Sequence, residues 1–457
     1  MQDSDSNTTA ADDARRQQAA RDVVIRLRKA GHTAYWAGGC VRDMLLGRPA
    51  RDYDIATDAV PDAVLALFPH GNAVGKSFGV VIVPAGGFTF ETATFRKDHG
   101  GTDGRHPDSI SFATAPEDAA RRDFTINAMF LDPLDDTVHD YVNGRADLDA
   151  RLIRCVGEPD LRFAEDHLRM LRAVRFATTL DFDIVPETAA AIRRNAAAIE
   201  RISIERVRDE FTRTLLEARH PGQALRMLDD LGLLPVFLPE VSALKQQAQP
   251  PEFHPEGDVF THTAMMLDAM EERSPALAYA VLLHDIAKPA TAFHDGVRLR
   301  FHGHAERGVP MAEAILRRLR LPNRLIEDVT ACVGRHMHFV DVQKMRRSTL
   351  RRLVGSPTFD TELELHRLDC LASSGRMENH EFLRHIVGEM ASEPVLPAPW
   401  ITGSDLIAMG IAPGHRIGKL LRTAYDLQLE GAVPDREALL ARIRKHRKDK
   451  GTKEKGI

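Results

Sequence analysis

At about Leu161 the chain changes period. Up to that point, short alternating runs such as "HTAYWAGG" and "GVVIVPAGGFTFETATF" are punctuated by glycine, as strands and hairpins are. Past it, apolar residues recur every three or four positions for most of the remaining sequence. A chain of 457 residues with that switch reads as an α/β head built on a small mixed sheet, followed by all-α modules. Within the head the pattern predicts a helix from about Asp22 to Ala30 closed by Gly31, a strand into a Gly turn, a short helix "VRDMLLG" and a strand "DYDIAT". Residues 98–106 are polar and Gly-rich and read as a mobile loop. Breaks at "LKQQAQPPEF" and "SEPVLPAPW" divide the helical part. The expected segments are a disordered lead-in (1–20), a head (21–150), a helical neck and body (151–248), a further helical domain (249–392) and a tail (400–457) with a basic end.

Asp52-Tyr53-Asp54 is the feature that asks for chemistry. Residues i and i+2 of a strand share a face, so two like charges would be pressed together. Divalent cations turn that repulsion into an advantage. Glu91 of "FETATF" is a candidate third acid on a neighbouring strand. A few carboxylates in an open site suit Mg2+ and the phosphate oxygens of a nucleotide. Gly38 and Gly39 let backbone approach a triphosphate, and Arg42 is placed to clamp it. An isolated Asp-x-Asp more often ends an exposed strand; the nearby Gly-Gly-x-x-Arg-Asp reverses that balance. In "RRDFTINAM", Arg122 would meet β- and γ-phosphates and Asp123 a ribose hydroxyl, although alone the stretch also reads as a solvated helix start.

The pieces "GGCVRD", "RDYDIAT", "FETATFR", "TDGRHPD", "RRDFTINAM", "DYVNGRADL" and "AEDHLRMLRAVRF" fall in order from Gly38 to Phe176. This set resembles the class II tRNA nucleotidyltransferase and bacterial poly(A) polymerase family. The resemblance implies a nucleotidyltransferase head with helical neck, body and tail, acting on tRNA with CTP and ATP and using Mg2+ held by Asp52 and Asp54. It also implies a base-reading set of Asp166, Arg169, Arg172 and Arg175. Asp166 and Arg169 are expected about one turn apart on one helix. An acid accepts from the amino group that cytosine and adenine share, and a guanidinium donates to their ring nitrogen, whereas guanine and uracil present the reverse. Steps of three drift round a helix, so Arg175 should face away from Asp166. "VGKSFGVVIV" is similar to the CCA-adding version, lacking the paired arginines of poly(A) polymerases, and the loop "RKDHGGTDGRH" keeps an Asp-Gly-Arg. Poly(A) synthesis and partial CC- or A-addition stay open.

"FHPEGDVFTHT", "LLHDIAKP", "FHGHAERG", "RHMHF" and "HRLDCLAS" resemble the HD metal-dependent phosphohydrolase domain. The resemblance implies His262, His284, Asp285 and Asp369 as ligands of a divalent metal (Mg, Mn, Ni or Fe), with His304 and His336 for a second ion or a substrate phosphate. His338, His302 and His254 are expected to be structural or rim residues. Some domains of this kind hydrolyse 2′,3′-cyclic phosphates or 2′-nucleotides, which makes hydrolysis an alternative or second activity. A tRNA-binding module without chemistry is a third reading. In the tail, Gly410 and Gly414 with Arg416 and Lys419 could approach tRNA phosphates or merely pack.

A net charge of −5 means that a polyanion must be held by local patches or metal ions. Four cysteines far apart, with no CxxC, argue against a zinc ribbon or disulfide framework and fit a reducing cytosol. No apolar run is long enough for a bilayer, and the polar, acidic N-terminus is no secretory signal. A cytoplasmic enzyme without membrane association or an obligate protein partner is the expectation.

Overall fold

The computed structural model describes residues 3–50, 52–75, 79–99, 109–250, 252, 254, 256–392 and 394–453, with backbone alone at 3–10, 75, 99 and 446–453. The chain divides into two compact units: Met1–Ala243 with Arg318–Arg320, and Leu244–Arg317 with Leu321–Ile457.

The first unit is built on a seven-stranded mixed sheet of order β3-β4-β5-β2-β1-β8-β9. Its strands are β1 (Ala34–Ala37), β2 (Asp54–Thr57), β3 (Asn72–Gly75), β4 (Val80–Ala85), β5 (Phe88–Thr94), β8 (Phe130–Asp132) and β9 (Thr137–His139), while β6 (Arg96–His99) and β7 (Ser109–Phe112) form a separate ribbon. Helices α1 (Asp3–Lys29), α2 (Gly39–Leu45), α3 (Pro61–Leu67), α4 (Ala115–Ala120) and α5 (Gly144–Asp149) accompany the strands. Gly86 and Gly87, both at positive φ (59° and 85°), make the two-residue turn between β4 and β5 that the Pro-Ala-Gly-Gly run predicts. β2 and β5 run parallel with Ile55 opposite Thr92, so one step back the same register sets Asp54 beside Glu91. On its other side β2 is antiparallel to β1, with Ala37 opposite Asp54. The Gly turn and the acids therefore meet at one edge of the central strands. Beneath them Ala37, Ala56, Phe95, Ala128 and Phe130 form a buried cluster.

Two expectations change here. α1 reaches back through the segment read as a disordered lead-in, instead of starting near Asp22. Residues 10–20 are mostly strong helix formers, and Ala19 and Ala20 join Val23, Val24 and Leu27 on one buried face. The stretch 98–106 is partly strand: Asp98 pairs with Ile110 in the β6–β7 ribbon. Residues 100–108, which hold the Asp-Gly-Arg, and Lys76 to Phe78 of the "VGKSFG" segment lie outside the described residues.

After the sheet come α6 (Pro159–Glu165), α7 (Arg169–Leu180), α8 (Pro186–Asn195) and α9 (Ile204–Glu217). Asp166 and Arg169 do not share a helix as expected. α6 ends at Glu165, Asp166 is extended (φ −149°, ψ 103°), and α7 opens at Arg169. The cause is local. The Asp166 carboxylate accepts the Leu168 N–H at 3.1 Å, an Asx turn that competes with helix continuation.

The second unit is largely helical. Helices Val259–Asp268, Pro275–Leu283, His304–Arg318, Asn323–Arg335 and Phe359–Ala372 carry the histidines and acids of interest. Asp258 caps the first by accepting the Thr261 N–H (2.7 Å), and Ser274 caps the second by accepting that of Leu277 (3.2 Å). Tail residues Ile401, Leu406, Ala424 and Leu439 pack into their own cluster.

Gly144 sits against the single-turn helix Thr125–Asn127. A Cβ there would lie 2.2 Å from the Thr125 carbonyl oxygen, an immovable backbone atom. Gly144→Ala should therefore destabilise the first unit by ~2–4 kcal/mol, read as a lower midpoint in urea unfolding.

Candidate active-site cleft and metal centre

A cleft of about 1050 Å³ opens above the β1–β2 edge, lined by Gly38, Asp52, Asp54, Arg122, Asp166 and Arg172 among others. It lies at the upper end of the ~300–1,000 Å³ common for small-molecule sites. Asp54 opens β2 and Asp52 stands two residues before it; both are exposed and line the cleft while Tyr53 between them is buried, so the two acids turn to the same side. Although Asp54 is exposed, protein atoms crowd its carboxyl group and keep water from part of it. That desolvation, then the charge of Glu91 and lastly that of Asp52, push the Asp54 pKa up to about 6, against the relief given by Arg122. Acids that repel one another at a cleft wall form a donor set that a divalent cation fits.

Gly38 has φ 74°, and a Cβ on it would stand 3.1 Å from Arg122 Nη1 and 3.6 Å from the Asn127 carbonyl oxygen. Glycine is required here for both conformation and space. Arg122 donates to Asp118 (Nη2, 3.0 Å) and to the Asn127 carbonyl (3.2 Å). Buried Asp118 also takes Arg121 at 2.7 Å. Despite burial, the two guanidiniums keep its pKa below the usual carboxylate range. Arg42 is buried, giving Nη1 to Asn127 Oδ1 (2.7 Å) and Nε to Asp43 (2.9 Å). Asp118 and Asn127 are thus the mounts of the two cleft arginines, and sequence reading missed both. Asp123, the candidate for a ribose hydroxyl, lines the cleft; Arg172 Nη2 donates to its Oδ2 at 2.6 Å and the Phe124 N–H to its Oδ1 at 2.8 Å.

Asp166 is engaged by Arg206 Nη2 of α9 (2.9 and 3.2 Å), a residue that sequence reading did not single out. Arg169 donates to Glu165 (2.7 Å) and to the carbonyls of Arg162 and Arg121. Arg172 faces the cleft through its pairing with Asp123. Arg175, expected to turn away from Asp166, is buried with its Nε on Glu210 at 2.6 Å and its guanidinium 4.3 Å from the Phe176 ring centre.

In the second unit, His262, His284 and Asp369 form one group of converging donors, and Asp285, His304 and His336 another. His284, His304 and His336 each give the Nδ1 hydrogen to a carbonyl three residues upstream (2.9, 2.8 and 2.7 Å). Each Nε2 is then a lone pair. Those of His304 and His336 face each other at 3.0 Å, and His284 Nε2 stands 3.0 Å from Asp285 Oδ2. Lone pairs so opposed require a proton or a cation between them, so the donor set fits a divalent metal. Lys288 Nζ touches the same Asp285 oxygen at 2.6 Å. Burial acts to lower the His262 pKa, but Asp369 and Glu256 raise it to about 9, a proton standing where an ion would. Burial and the neighbouring His284 hold His336 down to about 3. His254, expected at the rim, shares the Glu256 carboxylate with His262.

These features define a nucleotidyltransferase head joined in sequence to an HD-type metal centre. The family model described as "Poly A polymerase head domain" matches residues 34–154, "Probable RNA and SrmB- binding site of polymerase A" matches 181–245, and "HD domain" matches 258–372. The CCA-adding enzyme of Geobacillus thermodenitrificans is 37% identical over 321 residues, covering 69% of this chain and 70% of that protein. That of Levilactobacillus brevis is 45% identical over 217 residues, 47% of this chain and 54% of the relative. Among solved structures, the Bacillus stearothermophilus CCA-adding enzyme in complex with CTP superposes with TM-score 0.73 at 28% identity, covering 95% of this chain and 98% of that one. This chain belongs to the CCA-adding enzyme family. Among the described residues no helix is long and apolar enough to cross a membrane.

The raised Asp54 pKa has a stability consequence. Because the folded value (about 6) exceeds the ordinary 3.8, the folded state holds this proton more tightly, and its contribution to stability is lost as pH rises between those values. Above that window the ionised acids repel until a cation arrives. In EDTA at pH 7.5, Asp54→Asn should melt at or above the wild-type temperature; a lower Tm contradicts the repulsion.

Proposed function

We propose that the cleft of the first unit transfers CMP and then AMP from CTP and ATP to the 3′ hydroxyl of tRNA, completing CCA with protein side chains as template. The observation that carries this reading is a single cleft lined both by Asp52 and Asp54 and by the base-reading candidates Asp166, Arg169 and Arg172. The CTP complex of the Bacillus stearothermophilus relative supports the nucleotide class.

Asp52 and Asp54, with Glu91 adjoining, would hold Mg2+, which when bound lowers the pKa of the attacking hydroxyl and neutralises triphosphate charge. Gly38 and Gly39 admit the triphosphate close to backbone, and Arg122 and Arg42 grip its oxygens from their mounts on Asp118 and Asn127. Asp123 aims Arg172 and meets a ribose hydroxyl with its remaining lone pairs. Asp166 accepts from the amino group of cytosine or adenine, exchanging its Arg206 contact for the base. Arg169 and Arg172 donate to the base's acceptors. Arg175 holds α7 against α9 and acts through Arg172. Because the work is positioning and charge stabilisation, Asp54→Asn should lower incorporation at least ~100-fold while tRNA binding survives.

A second reading for the HD centre is phosphohydrolysis of 2′,3′-cyclic phosphates or 2′-nucleotides, supported by the four imidazole Nε2 atoms that converge on Asp285 and Asp369. Imidazole-rich donors suit Mn, Ni or Fe, with Mg also accommodated by the carboxylates. Four unpaired cysteines support a reducing, cytoplasmic setting.

Incubation of the protein with tRNA ending before CCA, and each NTP, reads the function directly. The expected product ends in CCA; a poly(A) tract, or arrest after CC, would replace this reading with the corresponding partial or homopolymeric activity. Asp166→Ala should raise GTP and UTP incorporation relative to CTP by tenfold or more, since an opposed donor costs about 1–3 kcal/mol. Undiminished rejection of GTP and UTP would refute the side-chain template.

A further inference from the structure

Four imidazoles converge on the HD centre, and three of them owe their orientation to their own helix or the turn leading into it. His284, His304 and His336 donate Nδ1–H to the carbonyls of Val281, Phe301 and Val333. Those acceptors are backbone and come with the secondary structure. His262 is different. Its Nδ1 meets Glu256 Oε1 at 2.6 Å, a side chain six residues upstream in the segment leading into the helix Val259–Asp268. The same oxygen takes His254 Nδ1 at 2.8 Å, and the two rings stand nearly perpendicular with centres 5.0 Å apart. The Glu256 carboxylate is almost wholly buried (3% exposed), and its second oxygen has no hydrogen-bond partner. A carboxylate kept buried and half-satisfied weakens the fold unless the charge serves a neighbour.

We propose that Glu256 is a positioning residue of the metal centre: by accepting Nδ1–H it fixes the His262 ring so that Nε2, 3.1 Å from Asp369 Oδ1, presents its lone pair to a divalent ion. This rests on the metal-centre reading above. A neutral imidazole carries one hydrogen, and whichever nitrogen lacks an acceptor for it is the one left to coordinate. Without Glu256, the hydrogen gains more on Nε2, where the Asp369 carboxylate accepts it, and the lone pair turns away from the ion. Carboxylates behind ligating histidines carry about 10- to 100-fold in metal affinity. His254 braces the same carboxylate oxygen through its own Nδ1.

The test is equilibrium dialysis with Mn2+ on the full chain carrying Asp52→Asn and Asp54→Asn, so that only the HD centre reports. Glu256→Ala should bind Mn2+ ~10- to 100-fold more weakly. Glu256→Gln keeps an amide oxygen within reach and should recover affinity to within a few-fold, whereas Glu256→Asp keeps the charge but falls short of Nδ1 and should not. A purely structural role predicts instead that affinity follows Tm measured in EDTA across the three variants. Wild-type affinity in Glu256→Ala alongside lost binding in His284→Ala overturns the role of Glu256 alone. Recovery by Asp but not Gln also overturns it, since charge without contact would then suffice. Absence of Mn2+ binding before any change at Glu256 would sink the metal-centre reading, and this proposal with it.

Discussion

The first unit depends on one unfavourable contact. Asp54 is held beside Glu91 by the parallel pairing of β2 with β5, and near Asp52 by the short run that leads into β2. The fold keeps these charges together because everything around them is fixed by stronger constraints: the ladder to β1, the buried cluster beneath, and the Gly38 turn. Arg122 relieves part of the repulsion and is itself anchored on Asp118, whose second guanidinium partner, Arg121, lies 3.7 Å from Asp98 at the foot of the β6–β7 ribbon. The cleft is thus built so that positive charge arriving with a nucleotide completes it.

The two units solve the problem of holding a cation by different chemistry. In the head, carboxylates gather and their field does the selecting, which suits a hard ion shared with phosphate oxygens. In the HD centre, the arrangement is one of tautomers: hydrogen bonds behind each ring decide which nitrogen is bare. Helical geometry supplies most of those bonds without any particular side chain. That is why the histidines stood out in the sequence while the group that orients His262 did not.

The parts that were legible obey short-range rules. The acids Asp52 and Asp54 are both exposed at the cleft as alternation suggests, although the strand itself begins only at Asp54, and the Gly-Gly turn and β4–β5 hairpin followed from residues with positive φ. What escaped depends on competition or distance. Asp166 ends a helix because its side chain captures a backbone N–H, a choice that spacing alone leaves open. Asp118, Asn127 and Arg206 look like ordinary surface residues in sequence, and their partners are identified only when the segments meet. Helical drift led Arg175 to be expected to face away from Asp166, yet it lines the same cleft, and its acceptor, Glu210, lies on another helix. α1 was underestimated because polar composition was weighed above helix propensity and a docked alanine face.

The Asp166–Arg206 pair divides labour among the negative charges of the cleft. On the roles proposed above, the specificity carboxylate is already paired with a guanidinium at rest, whereas Asp52, Asp54 and Glu91 repel one another with only Arg122 to relieve them. Free divalent ions and polyamines are therefore drawn to the reacting end and find little at the discriminating end. On the proposed roles, ion traffic and base choice are separable: the concentration of the divalent ion would set how fast a nucleotide is joined without altering which one is chosen.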